Sequence, residues 1–235
     1  MRYGRIAVTG FLLCLIMGMY AYADQVIYAD VVNYIPFDSQ FGVEVKGNTW
    51  VLVADPDAFG GSAFGAPGDN DYSGDGGDPF TVAEPYLIIK FPMDVKSGES
   101  TADGKTWVPW ARMRIPADQN SFYWQVSSDN ATWKPEIITN SIRWNDDGMN
   151  GLDVWYWQDH ITGNDGGVTA DMEVGVNYVR IGARESDPVT FPTIDVICFR
   201  NDGSAPTDDE ALGSGAAVEP AQKLSTSWGQ IKTTY

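Results

Sequence analysis

Short runs of alternating apolar and polar residues are the feature that most constrains this chain. They are TWVLVAD (49–55), YLIIKF (86–91), WARMRI (110–115), SFYWQV (121–126), NYVRIGAR (177–184) and TIDVICF (193–199). Each is rich in β-branched and aromatic residues and bounded by Gly, Pro, Asn or Asp, so each predicts a strand. A period of two sends successive side chains to opposite faces. In WARMRI, Ala111, Met113 and Ile115 share one face, and Trp110, Arg112 and Arg114 the other. In NYVRIGAR, Val179, Ile181 and Ala183 oppose Arg180 and Arg184. One dry and one wet face marks antiparallel strands packed on a single side, not the all-apolar strands of a parallel sheet. No segment after residue 23 carries a sustained helical stripe. The expected fold is all-β, a jelly-roll β-sandwich of two antiparallel sheets.

Three stretches fall outside this pattern. At the N-terminus, Arg2 and Arg5 precede an apolar run from Ile6 to Met19, and Ala21-Tyr22-Ala23 reads as a cleavage site before Asp24. That is a secretory signal peptide, too short to span a membrane. A lipoprotein alternative rests on Cys14, but the large Leu13 precedes it where a small residue is wanted. Residues 55–80, crowded with Gly, Asp and Pro, read as a long loop, either functional or disordered. From about Asn201 the alternation stops, and DGSAPTDDEALGSGAAVEPAQ reads as a linker leading to a tail with Trp228 and Ile231. The division is a signal helix over 1–23, a sandwich over 24–205, and a linker with an irregular C-terminal tail over 206–235.

Charge narrows the partners. The chain carries 32 acidic against 15 basic residues, a net charge of −17, and cleavage would remove two of the arginines. Such a surface repels phosphate backbones and anionic bilayers, so neither nucleic acid nor membrane insertion is expected. Neutral ligands, or ligands bridged by cations, suit it. Only Cys198 would survive cleavage, which leaves no intrachain disulfide and puts stability on packing.

The order of motifs is informative. Trp110-Ala111-Arg112, Ser121-Phe122, Trp155-Tyr156-Trp157, Arg184-Glu185 and Ile194-Asp195-Val196-Ile197 follow one another in that sequence. Over about residues 26–205 this resembles the galactose-binding-like β-sandwich of carbohydrate-binding modules, families 6 and 35 and their environmental bacterial relatives. Those modules often open with Glu-Ala-Glu or Gln-Ala-Glu; here the stretch is Tyr28-Ala29-Asp30, without the first polar group. A fold alone does not assign a function.

In a strand over 153–157, Trp155 and Trp157 share one face and Tyr156 takes the other. Either tryptophan could plug the core, and either could serve as a platform for the C–H face of a sugar. The split expected here is Trp157 in the core and Trp155 exposed. The resemblance implies a sugar held between two loop aromatics, with Trp155 as one wall and Trp144 as the alternate. The second wall would come from Phe59, Phe64 or Tyr72, with acceptors from Asn145, Asp146, Asp147 and Glu185. His160, the one histidine, lacks partners for zinc and reads as a surface residue.

Calcium is the expected cofactor, at one of two places. DYSGDG (71–76) sets Asp71, Ser73 and Asp75 at alternate positions before a glycine, as in the opening half of an EF-hand loop. The closing glutamate position is Val82, so another oxygen set, with Asp69 or Asp78, or a plain solvated turn, is the alternative. The resemblance implies a second, structural ion between Asp30 and Asp195; an ion pair of Asp195, for instance with Arg184, is the simpler reading. No nucleophile elbow, phosphate loop or zinc motif appears. The expected function is therefore a secreted, non-catalytic, lectin-like protein binding a polysaccharide or glycan. A structural or adhesive surface module, and a sugar-cleaving enzyme with two placed carboxylates, are the competing readings.

Overall fold

The structure is a computed structural model and describes residues 24–31, 51–65, 70–71, 91–116, 121–135, 143–145, 153–159, 169–183, 185–186 and 190–214. The strands among them are β1 (Val26–Asp30), β2 (Val51–Ala54), β3 (Ser62–Gly65), β4 (Asn70–Asp71), β5 (Phe91–Val95), β6 (Val108–Arg114), β7 (Ser121–Ser127), β8 (Arg143–Asn145), β9 (Trp155–Asp159), β10 (Gly175–Ala183), β11 (Glu185–Ser186) and β12 (Thr193–Arg200). One short helix, α1 (Asp208–Gly213), follows. The alternating runs reappear as β2, β6, β7, β10 and β12. The run at 86–91 lies outside the described residues except for Phe91, where β5 begins. Pro92 sits within β5, which among the described residues is the last strand of its sheet, the place where a sheet tolerates a missing donor.

All strand pairings among the described residues are antiparallel, and they build a β-sandwich. The larger sheet runs β2-β3-β12-β6-β9, with β1 also paired to β12. The smaller runs β5-β10-β7-β8, and β4 pairs with β11 apart from both. The chain crosses repeatedly between these two sheets, from β5 to β6 to β7 and from β8 to β9 to β10.

Alternation decides which side chains lie between the sheets. Phe64, Ala111, Met113, Ile115, Ile194, Ile197 and Phe199 from the larger sheet meet Met93, Val95, Phe122, Trp124, Val126, Trp144, Val179 and Ile181 from the smaller one. Trp124 stacks on Trp144 at 5.9 Å and meets Phe199 edge-on at 6.4 Å, both favoured ring geometries. Trp107 and Trp144 donate their indole N–H groups to the carbonyls of Glu99 (2.6 Å) and Pro109 (3.2 Å), as burial demands.

Two sequence readings are corrected here. The 55–80 stretch is not all loop: Phe59–Gly61 forms a 3-10 turn and Ser62–Gly65 is β3, paired to both β2 and β12. Gly65 is required there, since a Cβ would lie 2.3 Å from the Phe191 ring. Nor is 206–214 a free linker. Thr207 and Glu210 form a capping box that starts α1, and Ala211 is fully buried against the larger sheet. The signal segment and residues 215–235 lie outside the described residues. Among the described residues, no helix is long and apolar enough to cross a membrane.

Candidate functional site

The outer face of the larger sheet carries the site. β9 pairs with β6 so that Tyr156 lies opposite Met113, Trp155 opposite Arg114 and Trp157 opposite Arg112. Tyr156 therefore packs on the core, and both tryptophans face outward with the arginines. The expectation that Trp157 plugs the core is overturned. It joins a small outer cluster with Phe59, Val196 and Ala211, packs edge-on to Tyr28 at 6.1 Å, and donates its Nε1–H to Asp208 Oδ1 at 2.8 Å. Trp155 is half-buried.

Arg112 organises this face. A bulge between Ile194 and Val196 adds Asp195 to β12 beside Arg112. The Arg112 Nη1 donates to Asp195 Oδ2 at 2.7 Å, and Nε and Nη2 each donate to Asp208 at 3.1 Å. Both terminal nitrogens also reach the Asp57 carbonyl at 3.3 Å. The guanidinium lies over the Phe59 ring at 3.9 Å and 5.1 Å from the centre of the Trp155 ring. Stacked on aromatics and surrounded by acceptors, this charge is tolerated with almost no exposure.

Beside it opens a cleft of about 320 Å³ lined by Asp57, Arg112, Arg114, Asp153, Val154 and Trp155. Arg114 donates through Nε to Asp153 Oδ1 at 2.8 Å and through Nη1 to Asp55 Oδ2 at 2.5 Å. The same Asp55 oxygen accepts the Trp155 Nε1–H at 3.3 Å, and Asp55 Oδ1 accepts the Asp57 N–H at 2.9 Å. Asp153 has φ 61°, a left-handed conformation that Asp tolerates better than most residues, and its N–H donates to the Ile115 carbonyl at 2.9 Å. This bend aims the Asp153 carboxylate back at Arg114. The cleft thus presents a half-exposed indole, an exposed Val154, and donors and acceptors held in a fixed frame. It is complementary to a flat ligand with one apolar face and hydroxyls around its edge.

At the other end of the chain's outer face, Arg200 binds Asp202 through Nε (2.9 Å) and Nη2 (2.6 Å), and Glu210 through Nη1 (2.9 Å). Hydrogen bonds from this guanidinium hold both carboxyls below the usual carboxylate range. Burial pushes the Cys198 thiol and the neighbouring Tyr28 phenol upward.

Among the described residues, Trp155 is the expected sugar-site residue that lines the cleft. Trp144 is fully buried in the main core, because β8 pairs with β7 and turns its indole onto Trp124. Phe59 is buried beneath the Arg112 guanidinium, and Phe64 is a core residue of β3. Asn145 ends β8 in the smaller sheet, and Glu185 of β11 lies opposite Asp71 of β4. Tyr72, Asp146, Asp147 and His160 lie outside the described residues. Sequence reading missed Asp55, Asp57, Arg114, Asp153 and Val154. The available signal was the pairing of Trp155 with the outward face of WARMRI, which needs the register of two strands distant in sequence.

The calcium expectation divides. Asp195 does not fit an ion: its Oδ2 accepts from both Arg112 and the Phe59 N–H at 2.8 Å, so a guanidinium stands where the resemblance implied a metal. Asp30 lies opposite Val196 in β1. Ser73 and Asp75 lie outside the described residues, and Asp71 is placed only as part of β4. Among the described residues, no group of three or more His, Cys, Asp or Glu is placed to hold a metal.

No family model and no curated protein matches the chain. Among solved structures, the chain is similar to the isomalto-dextranase of Arthrobacter globiformis T6 in complex with panose. The identity is 13% and the TM-score 0.38, over 67% of this chain and 24% of that one. The chain thus spans about a quarter of that protein's length. At that TM-score the likeness assigns neither a fold nor a ligand to this chain.

Proposed function

We propose that this protein is an exported, non-catalytic carbohydrate-binding β-sandwich whose sugar lies on Trp155. The observation that carries the reading is the cleft: a half-exposed indole whose position is held by Asp55, next to Arg114 and Asp153. A sugar offers an apolar C–H face to an indole and needs paired donors and acceptors for its hydroxyls. Arg114 has N–H groups beyond those given to Asp55 and Asp153, and Asp57 and Asp153 offer carboxylate oxygens. Asp55 and Asp153 act as anchors for Arg114 and so as a frame for binding. The net charge of −17 favours a neutral glycan.

In this reading the mature chain starts at Asp24, which binds Lys105 at 2.5 Å, next to Gln25, whose N–H donates to Asn201 Oδ1 at 2.7 Å. Mass spectrometry of the secreted chain should find Asp24 first; a diacylated Cys14 would make it a lipoprotein. Calcium in this reading belongs to the Asp71, Ser73 and Asp75 loop. Adding calcium to metal-stripped protein should raise the melting temperature by linkage, and Asp75→Ala should remove the rise.

The deciding experiment is a glycan array on the mature chain and its Trp155→Ala variant. Binding by the parent and none by a folded variant supports the reading. No binding by either favours the structural or adhesive alternative, and undiminished binding by the variant moves the site elsewhere.

A further inference from the structure

We propose that α1 is part of the ligand site, and that Asp208 is a positioning residue acting on the cleft through Arg112. This rests on the reading of the cleft as a glycan site. Two carboxylates of this segment fasten it to the sheet, and they reach different places. The Glu210 carboxylate accepts from Arg200, from the Tyr28 hydroxyl and from the N–H of its own cap residue Thr207. Asp208 takes both Nε and Nη2 of Arg112, together with the Trp157 indole.

Arg112, which lines the cleft, also holds α1 through two hydrogen bonds to Asp208. Its other contacts set the cleft. It holds the Asp57 carbonyl, and with it the turn that presents both Asp57 and Asp55. It packs between Phe59 and Trp155. Asp55 in turn receives the Trp155 indole and Arg114. Planar, bidentate pairing fixes a guanidinium in orientation as well as position. Asp208 is therefore the clamp that orients Arg112, and Arg112 orients the indole and the Asp57 turn. Without Asp208, Asp195 still neutralises the charge but grips a single nitrogen, and only the Asp57 carbonyl and the Phe59 ring are left to orient the plane.

The two anchors of one helix provide the test. Asp208→Ala and Glu210→Ala should both lower the melting temperature, because each loosens α1. Affinity electrophoresis in soluble neutral polysaccharides (glucan, xylan, galactomannan and dextran) should show Asp208→Ala weakened about tenfold, the scale of losing a charged hydrogen-bond pair. Glu210→Ala should stay within about twofold of the parent. Asp208→Asn, which keeps one acceptor oxygen, should fall between. Equal losses in the two alanine variants, following their melting temperatures, would show that α1 acts only as structure and would overturn the proposal. A second readout needs no sugar. The indole N–H resonance of Trp155, assigned with Trp155→Phe, should shift in Asp208→Ala and stay in Glu210→Ala. A Trp155 resonance unmoved by Asp208→Ala overturns the positioning role even where no polysaccharide retards the parent, whereas a shift without retardation sinks only the glycan reading.

Discussion

Arg112 and Asp195 meet at 2.7 Å on the outer face of the larger sheet, yet both side chains are almost wholly withdrawn from solvent. This pair is costly to break, because the buried Arg112 would keep only the half-exposed Asp208 and the buried Phe59 N–H would lose its acceptor. Asp195→Ala should therefore cost about 3–5 kcal/mol in urea unfolding. Asp208→Ala should cost less, since Asp208 is 51% exposed and water replaces it. A loss at Asp195 no larger than that at Asp208 would remove the pair from the centre of this face.

The tryptophans should separate by role. Trp144→Ala removes a fully buried indole stacked on Trp124, and should cost about 3–5 kcal/mol. Trp155→Ala removes a half-buried ring and one hydrogen bond to Asp55. Its variant should melt closer to the parent while losing retention on polysaccharide. Thermal melting and binding on the same preparations check both, and a Trp155 variant as unstable as the Trp144 variant would make it a packing residue.

Acid should loosen α1 before the core. Hydrogen bonds from Arg200 depress the carboxyls of Asp202 and Glu210 in the folded state. A depressed folded value means that the contribution is present above the unfolded values, about 3.9 and about 4.3, and is lost as pH falls through the lower folded ones. The melting temperature should drop below about pH 4, and the Asp202→Asn, Glu210→Gln double variant should show a shallower drop. An identical acid limb in parent and variant would refute this assignment.

Cys198 should be chemically silent in the native protein. It has no exposed surface, and burial pushes its thiol up, away from the reactive thiolate. An aromatic disulfide reagent at pH 8 should label it only on denaturation. Rapid labelling of the folded chain would contradict its burial.

Neutral glycans should be preferred to acidic ones. Asp55, Asp57 and Asp153 surround Arg114, while Arg112 is offset by Asp195 and Asp208. The cleft is thus net negative, and a uronate must approach like charge. Oligouronates should bind more weakly than neutral oligosaccharides at low ionic strength, and the gap should narrow as salt screens it. A uronate preference would reverse this electrostatic picture.

The period-two pattern was enough to assign faces within a strand. Ala111, Met113 and Ile115 are inside, while Arg112 and Arg114 are outside, because alternation is a local property of the pleat and a guanidinium and a methionine differ sharply in what water does for them. The same logic could separate Tyr156 from Trp155 and Trp157 but could not say which side was the core. Tyr and Trp are both amphipathic, so either choice satisfied the pattern, and the pairing of Tyr156 with Met113 decided it. Phe59 was legible only as an aromatic in a glycine-rich loop. It is buried because its N–H docks on Asp195, 136 residues away, under a guanidinium from a third strand. Asp195 read as a metal ligand by resemblance or as an ion-pair partner, and the bulge that sets it beside Arg112 gives it the ion pair, with Arg112 in the place of Arg184. Residues 206–214 read as a linker because their short apolar content shows no stripe; Ala211 and the Asp208 and Glu210 anchors acquire meaning only against the arginines of the sheet. Local chemistry settled periodicity, charge and strand identity. Long-range pairing settled which face is wet, because burial belongs to what packs on a residue and not to the residue alone.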